Sequence, residues 1–193
     1  ALHFSNKVML ENKKFNFMYS HAAAIFARST IPCQDTPFAK VQIEARIRVE
    51  NPYTILFVGK LKNKKIISLG GKKINEFYFV NKIPISTYLI TFSAGVLSSK
   101  KFGEKCEVYA EPKVIKSKKL AATFFDCSKF VDFYDKYIHK NEWGTMIFVI
   151  VPDDFPYGGM ENPYNIQVSK SVLTNDGSLR NVIAHEIAHF WSG

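Results

Sequence analysis

The hydrophobic period of this chain changes once, near Glu111-Pro112, and that change limits the folds open to it. Ahead of it, Val41, Ile43, Ala45, Ile47 and Val49 alternate without a break with Gln42, Glu44, Arg46, Arg48 and Glu50. A period of two sends one set to a buried face and the other to solvent, so residues 41–50 are expected to form a half-buried strand closed by the Asn51-Pro52 turn. Residues 53–58, 65–69, 75–80, 88–92 and 106–110 follow as shorter strands, separated by Gly, Asn, Pro and Lys clusters at hairpin spacing. Together they predict an antiparallel β-module. Beyond the change, Leu120, Phe124, Cys127, Val131, Tyr134 and Ile138 recur at steps of three and four, which predicts one long amphipathic helix over 117–139. Residues 145–152 read as a buried strand, 153–159 as a Pro- and Gly-rich loop, 165–172 as another strand and 179–193 as a closing helix. The expected fold class is α+β, with domains at 1–114 and 115–193.

The closing helix carries the chemistry. His185 and His189 stand four residues apart, on one helical face, so both imidazoles can reach a single metal ion. Glu186 sits beside that face, where a carboxylate can take a proton from water without itself being a ligand. Asn175, Asp176, Gly177 and Ser178 supply turn residues and a candidate N-cap, while Val182, Ile183, Ile187, Phe190 and Trp191 recur at apolar helical spacing and Gly193 fits a stop. On its own the pattern also suits an ordinary amphipathic helix with packed histidines. A second motif lies 24 residues earlier (185 minus 161): Tyr157-Gly158-Gly159-Met160-Glu161-Asn162-Pro163. Paired glycines alone make a plain loop, but glycines followed by Met-Glu-Asn ask for more.

Composition closes off other classes. With 47% apolar residues in 193, the chain can bury the core of one large or two small domains. It has no run of eighteen apolar residues, so no membrane span is expected, and Ala1 to Lys7 lacks the layout of a signal peptide, although a chain opening without Met can be a piece of a longer one. Cys33, Cys106 and Cys127 are odd in number and widely spaced, unlike a disulfide framework or a metal knuckle, which predicts a reducing, cytoplasmic setting. The net charge of +9 comes mostly from lysines clustered at 60–65, 72–73, 100–101 and 116–119, where hairpin turns are expected. With only four arginines in the chain, these read as solvated turns and not as a nucleic-acid surface. His3 and His139 have no motif around them and read as surface or packing residues. Nothing in the sequence sets an oligomeric state.

The two motifs together resemble the gluzincin aminopeptidases, and the Gly-Gly form of the second is similar to the leukotriene A(4) hydrolase and aminopeptidase B branch. Ile31-Pro32-Cys33-Gln34-Asp35-Thr36-Pro37, residues 82–90 and the run from Asp176 into His185 resemble the same branch in the same order. The resemblance implies an antiparallel β-rich, saddle-like domain followed by the start of a thermolysin-like zinc peptidase domain, with earlier and later parts of the family's chain lying outside residues 1–193. It implies a zinc aminopeptidase acting on peptides with a free N-terminus: His185 and His189 as zinc ligands, Glu186 as general base, Glu161 binding the substrate's α-amine by a charge-assisted hydrogen bond, and Tyr157, Gly158, Gly159 and Met160 around the substrate. The family's third ligand, a Glu, and its transition-state Tyr fall beyond residue 193. Where the branch carries Gln-x-Gln, this chain has His21-Ala22-Ala23. Alternatives are a bifunctional enzyme that also hydrolyses an epoxide, or a non-catalytic relative that keeps the β-domain as a binding module.

Overall fold

The computed structural model describes residues 2–10 and 13–192, with side-chain surroundings from residue 15 onward. Gly193 as a helix stop, and the surroundings of His3, lie outside the described residues. Two compact units divide between Val96 and Leu97.

The first unit is built of two antiparallel sheets. One has the order β1-β2-β7-β4, from β1 (Leu2–Leu10), β2 (Lys13–Ser20), β4 (Thr54–Phe57) and β7 (Phe92–Gly95). The other has the order β3-β6-β5, from β3 (Lys40–Glu50), β5 (Lys60–Leu69) and β6 (Lys72–Ser86). The alternation that predicts β3 holds: Ile43, Ala45, Ile47 and Val49 are the better-covered set, and Glu44, Arg46, Arg48 and Glu50 are exposed. Between the sheets, Ile55 and Ala94 of one meet Phe77 and Phe79 of the other, with Phe57 and Phe79 rings 5.7 Å apart. Gly70 and Gly71 both have positive φ, +58° and +75°, the conformation a tight β5–β6 hairpin demands and glycine meets without strain. β5 is an edge strand exposed along nearly its whole length, and its lysines fit that place, since charge on an edge discourages pairing with other chains.

Two expectations change here. The strand predicted at 88–92 is a 3-10 turn, Thr87–Leu89, followed by β7, because Ser86 and Thr87 turn the chain and hydrogen bond back to Pro37 O and Gln34 O. The paired strands β1 and β2 have no counterpart among the predicted elements.

The second unit is a five-stranded sheet of order β11-β12-β10-β9-β8, from β8 (Ser98–Lys101), β9 (Cys106–Ala110), β10 (Met146–Val151), β11 (Gly159–Met160) and β12 (Ile166–Ser169). β10 runs parallel to both β9 and β12, and its unbroken apolar run suits a strand covered on both faces. The helices are α1 (Pro112–Ile115), α2 (Lys118–Phe124), α3 (Cys127–Tyr137) and α4 (Arg180–Ser192). Cys106, Val108, Met146, Phe148, Ile150, Ile166 and Val168 form one core with Leu120, Phe124, Val131, Ile183 and Ile187 of the helices. The single helix predicted over 117–139 is therefore two. Its apolar stripe is real, but the chain bends at Phe125-Asp126, where Asp126 leaves helical geometry (φ −98°, ψ 9°) and spends its carboxylate on Arg180 and Lys129. The strand predicted at 165–172 ends at Ser169, whose hydroxyl accepts from Ser171 N–H and starts a 3-10 turn.

The unit boundary lies earlier than the change of hydrophobic period. β9 pairs with β10, so residues 97–114, which the sequence groups with the β-module, share a sheet with the segment after them. Among the described residues no helix is long and apolar enough to cross a membrane.

Candidate active site

α4 is held by its two buried isoleucines and by its entry turn. Ile183 and Ile187, four apart, face the core. At the entry, Asp176 Oδ1 accepts from Ser178 N–H at 3.0 Å, and this backbone bond, with the hydroxyls of Ser178 and Thr174, pulls the Asp176 carboxyl down to about 2. Gly177 follows with φ +66°; a methyl group there would stand 2.7 Å from Ala122 O. Arg180 then donates to Gly177 O at 3.1 Å and to Asp126 Oδ2 at 2.8 Å, tying the helix to the α2–α3 bend. The opposite end is tied as well: Tyr134 donates its hydroxyl to Ala184 O, and Trp191 Nε1 donates to His139 O at 2.6 Å. His139 is thus an exposed packing residue, as expected.

With the helix so fixed, the i, i+4 spacing brings the two imidazoles together. His185 Nε2 and His189 Nε2 lie 3.1 Å apart, with the rings perpendicular. Glu186 is buried, 4% exposed, and its Oε2 has no hydrogen-bond partner. Burial, and then the charge of Glu161, push the Glu186 carboxyl up to about 8.

β11 delivers the second motif to the same place. Gly159 pairs with Val168 and Met160 with Gln167, and Gly158 O accepts from Ser169 N–H at 2.9 Å, which fixes the loop against β12. Glu161 follows directly: a carboxylate oxygen of Glu161, one of Glu186 and a ring nitrogen of His189 all lie within 4.8 Å of one another. Gly159 is required for a reason the sequence did not supply, because a methyl group on it would fall on Glu186, 2.5 Å from Cδ and 2.6 Å from Cγ. At Gly158 the same methyl would make ordinary contact with Val182, Cγ1 at 3.4 Å, and Val172, Cγ2 at 3.8 Å. A cleft of about 400 Å³ is lined by Tyr157, Gly158, Gly159, Asn181, Val182, His185 and Glu186.

Of the residues singled out from sequence, Tyr157, Gly158, Gly159, His185 and Glu186 line this cleft, and Glu161 and His189 meet Glu186 beside it. Met160 is buried, 9% exposed, and does not line the cleft. Asn181 and Val182 were missed, although Asn181 stands one helical turn ahead of His185 and the same periodicity marks it. Asn162, next to Glu161, is fully buried, and its Nδ2 donates to Gln167 Oε1 at 3.4 Å. His21 is 7% exposed and follows β2 in the first unit.

The donor set can be tested against zinc, the ion the resemblance implies. Two nitrogens each about 2.0–2.1 Å from one ion can lie 3.1 Å apart, and zinc takes imidazole nitrogen and carboxylate oxygen. A buried carboxylate with an orphaned oxygen, raised by burial and then by a second carboxylate, is also what a divalent cation would relieve. The residues fit. The closest three-residue donor group, Glu161, Glu186 and His189, differs from the expected pair of histidines by leaving out His185. The two sets meet at His189.

Comparison with known proteins is decisive on ancestry. Residues 3–89 match the peptidase M1 N-terminal domain and residues 125–193 the peptidase family M1 domain. The chain belongs to the peptidase M1 family. Leucine aminopeptidase 2 of Chaetomium globosum is 35% identical over the whole chain, which covers 31% of that relative, and leucine aminopeptidase 2 of Saccharomyces cerevisiae is 38% identical over 92% of the chain, covering 25% of its own length. Among solved structures, yeast LTA4 hydrolase in complex with bestatin superposes with a TM-score of 0.83 at 36% identity, over all of this chain and 29% of that one. The M1 chain described here therefore spans less than a third of the length of these relatives. The expected fold class holds: a β-rich M1 N-terminal domain is followed by a segment of the M1 peptidase domain.

Proposed function

We propose that this M1 chain belongs to a zinc aminopeptidase of the leukotriene A(4) hydrolase type, which removes the first residue of a peptide with a free N-terminus. The observation that carries the reading is the convergence of two motifs 24 residues apart (185 minus 161) on one spot, with the two Nε2 atoms 3.1 Å apart and Glu161 and Glu186 within 4.8 Å of His189. His185 and His189 hold the zinc, which when bound supplies a Lewis acid for the scissile carbonyl and for water.

The chain's own groups do the rest. Glu186, beside the histidines and pressed against the Gly159 backbone, takes the proton of the attacking water and returns it to the leaving amine. Glu161 receives the α-ammonium of the substrate, a pairing open only to a chain with a free N-terminus, which makes the enzyme an exopeptidase. Gly158 and Gly159 present bare backbone to the substrate and Tyr157 forms the outer wall of the cleft. Met160 acts from below, its buried side chain seating β11 so that Glu161 emerges at the right point. The names of the relatives suggest leucine as an accepted first residue, and bestatin, bound by the yeast protein, as a competing ligand. We infer a cytoplasmic setting from the odd number and wide sequence spacing of the cysteines.

Zinc content and leucyl-anilide hydrolysis by the full protein test this reading. About one zinc per molecule is expected, with hydrolysis suppressed by bestatin, and His185→Ala and His189→Ala are each expected to lose zinc and turnover while remaining folded by circular dichroism. Retention of stoichiometric zinc by either variant would show that the pair is not the metal site.

A further inference from the structure

Outside the cleft, the packing of α3 on the sheet brings two sulfurs together. Cys106 opens β9 and Cys127 opens α3, 21 residues apart in sequence, and their Sγ atoms lie 2.6 Å from one another. Both side chains are in the core, 1% and 0% exposed. That separation is far inside an ordinary contact between unbonded sulfurs, and the two backbones already hold the side chains facing each other. Cys33, partly exposed and in the first unit, takes no part.

We propose that Cys106 and Cys127 form a reversible cross-link site, a dithiol when the surroundings are reducing and a disulfide when a low-molecular-weight disulfide such as oxidised glutathione accumulates. The step is thiol–disulfide exchange in two stages. The thiolate of one cysteine attacks the external disulfide and releases one thiol; the second cysteine, as thiolate, then attacks the mixed disulfide and releases the other. The protein loses two electrons and two protons, and the external disulfide is reduced to two thiols. Burial and the neighbouring thiol hold Cys127 well above the ordinary thiol range, so exchange at Cys127 is slow and waits on local opening of α3. Once formed, the bond staples β9 to the start of α3. The residue before Cys127 is Asp126, the anchor of Arg180 at the entry of α4, so the staple would brace the bend that holds the active-site helix.

The test is thiol mapping of the full protein, equilibrated natively in glutathione buffers of increasing oxidised fraction until the thiol content stops changing, then alkylated under denaturing conditions and digested. The expected result is a cross-linked peptide joining Cys106 to Cys127, lighter by two hydrogens than its reduced pieces, with Cys33 alkylated throughout, and a melting temperature that rises with the oxidised fraction. The double variant Cys106→Ala/Cys127→Ala is expected to lose that dependence on redox state. Full alkylation of Cys106 and Cys127 at the most oxidising ratio would overturn the proposal, as would glutathionylation of either or a bond to Cys33. Zinc content and peptidase activity do not enter the readout, so this inference stands or falls apart from the proposed function.

Discussion

At the scale of single residues, the site turns on a side chain that is missing. Glu186 occupies the volume where a Cβ at Gly159 would be, and the atoms in its way are the far end of a flexible side chain, which can move aside without unfolding the helix. Gly159→Ala is therefore expected to displace the proton acceptor and leave the metal ligands alone: turnover falls by roughly tenfold or more, zinc content and melting temperature stay near the parent values, and Michaelis constants change little. Steady-state kinetics beside metal analysis would check this, and loss of zinc in step with turnover would contradict it. Sequence could mark Gly159 as a position where backbone must come close, but not what it comes close to, since the partner stands 27 residues later (186 minus 159) and only tertiary packing pairs them.

At the scale of elements, α4 depends on its ties. Arg180 spans Gly177 O, Asp176 O and the Asp126 carboxylate, in a partly exposed setting where such bonds are screened. Arg180→Ala is expected to lower stability by roughly 1 kcal/mol, read from denaturant unfolding, and to weaken zinc retention more than an exposed substitution of similar cost. In the first unit, β6 places Glu76 in the sheet between Arg48 at 2.6 Å and Lys65 at 3.2 Å. The bond from Arg48, followed by that from Lys65, outweighs burial and holds the Glu76 carboxyl below its ordinary value of 4.5. A depressed carboxyl stabilises the fold above the unfolded pKa and loses that contribution as pH falls through the folded one. Glu76→Gln should thus lower the melting temperature at pH 7, with the gap from the parent closing below about pH 4.5 as the parent's own carboxylate is protonated; a gap independent of pH would refute the ion-pair account. The element scale is also where sequence reading was least complete. Alternation over 41–50 is a local property and showed β3 plainly, and clusters of Gly, Asn, Pro and Lys at hairpin spacing marked breaks between strands. The α2–α3 bend depends on Asp126 finding Arg180, 54 residues away, and no local periodicity carries that.

At the scale of the whole molecule, the two units differ in how far local pattern can reveal them. In the first unit the β5–β6 hairpin is marked by its turn, whereas β3–β6, β4–β7 and β2–β7 pair strands further apart in sequence, which no local pattern joins. The mixed sheet of the second joins β9 in parallel to β10 across three helices, and a change of period at Glu111 says nothing of which strand lies beside which. That is why the boundary expected at residue 114 and the observed division after Val96 disagree. The motifs fared better because their spacing is chemistry: histidines four apart must share a helical face, and a Glu beside glycines can be brought to them by a single strand. Family membership then follows from matches over 3–89 and 125–193. The proposed function has Glu186 moving a proton beside a metal held by His185 and His189. The most direct measurement is leucyl-anilide turnover by full-length Glu186→Gln protein whose zinc content has been determined on the same sample. The account predicts zinc at the parent level and a fall in kcat on the order of 10² to 10⁴-fold; parent-level turnover in a zinc-loaded variant would contradict it.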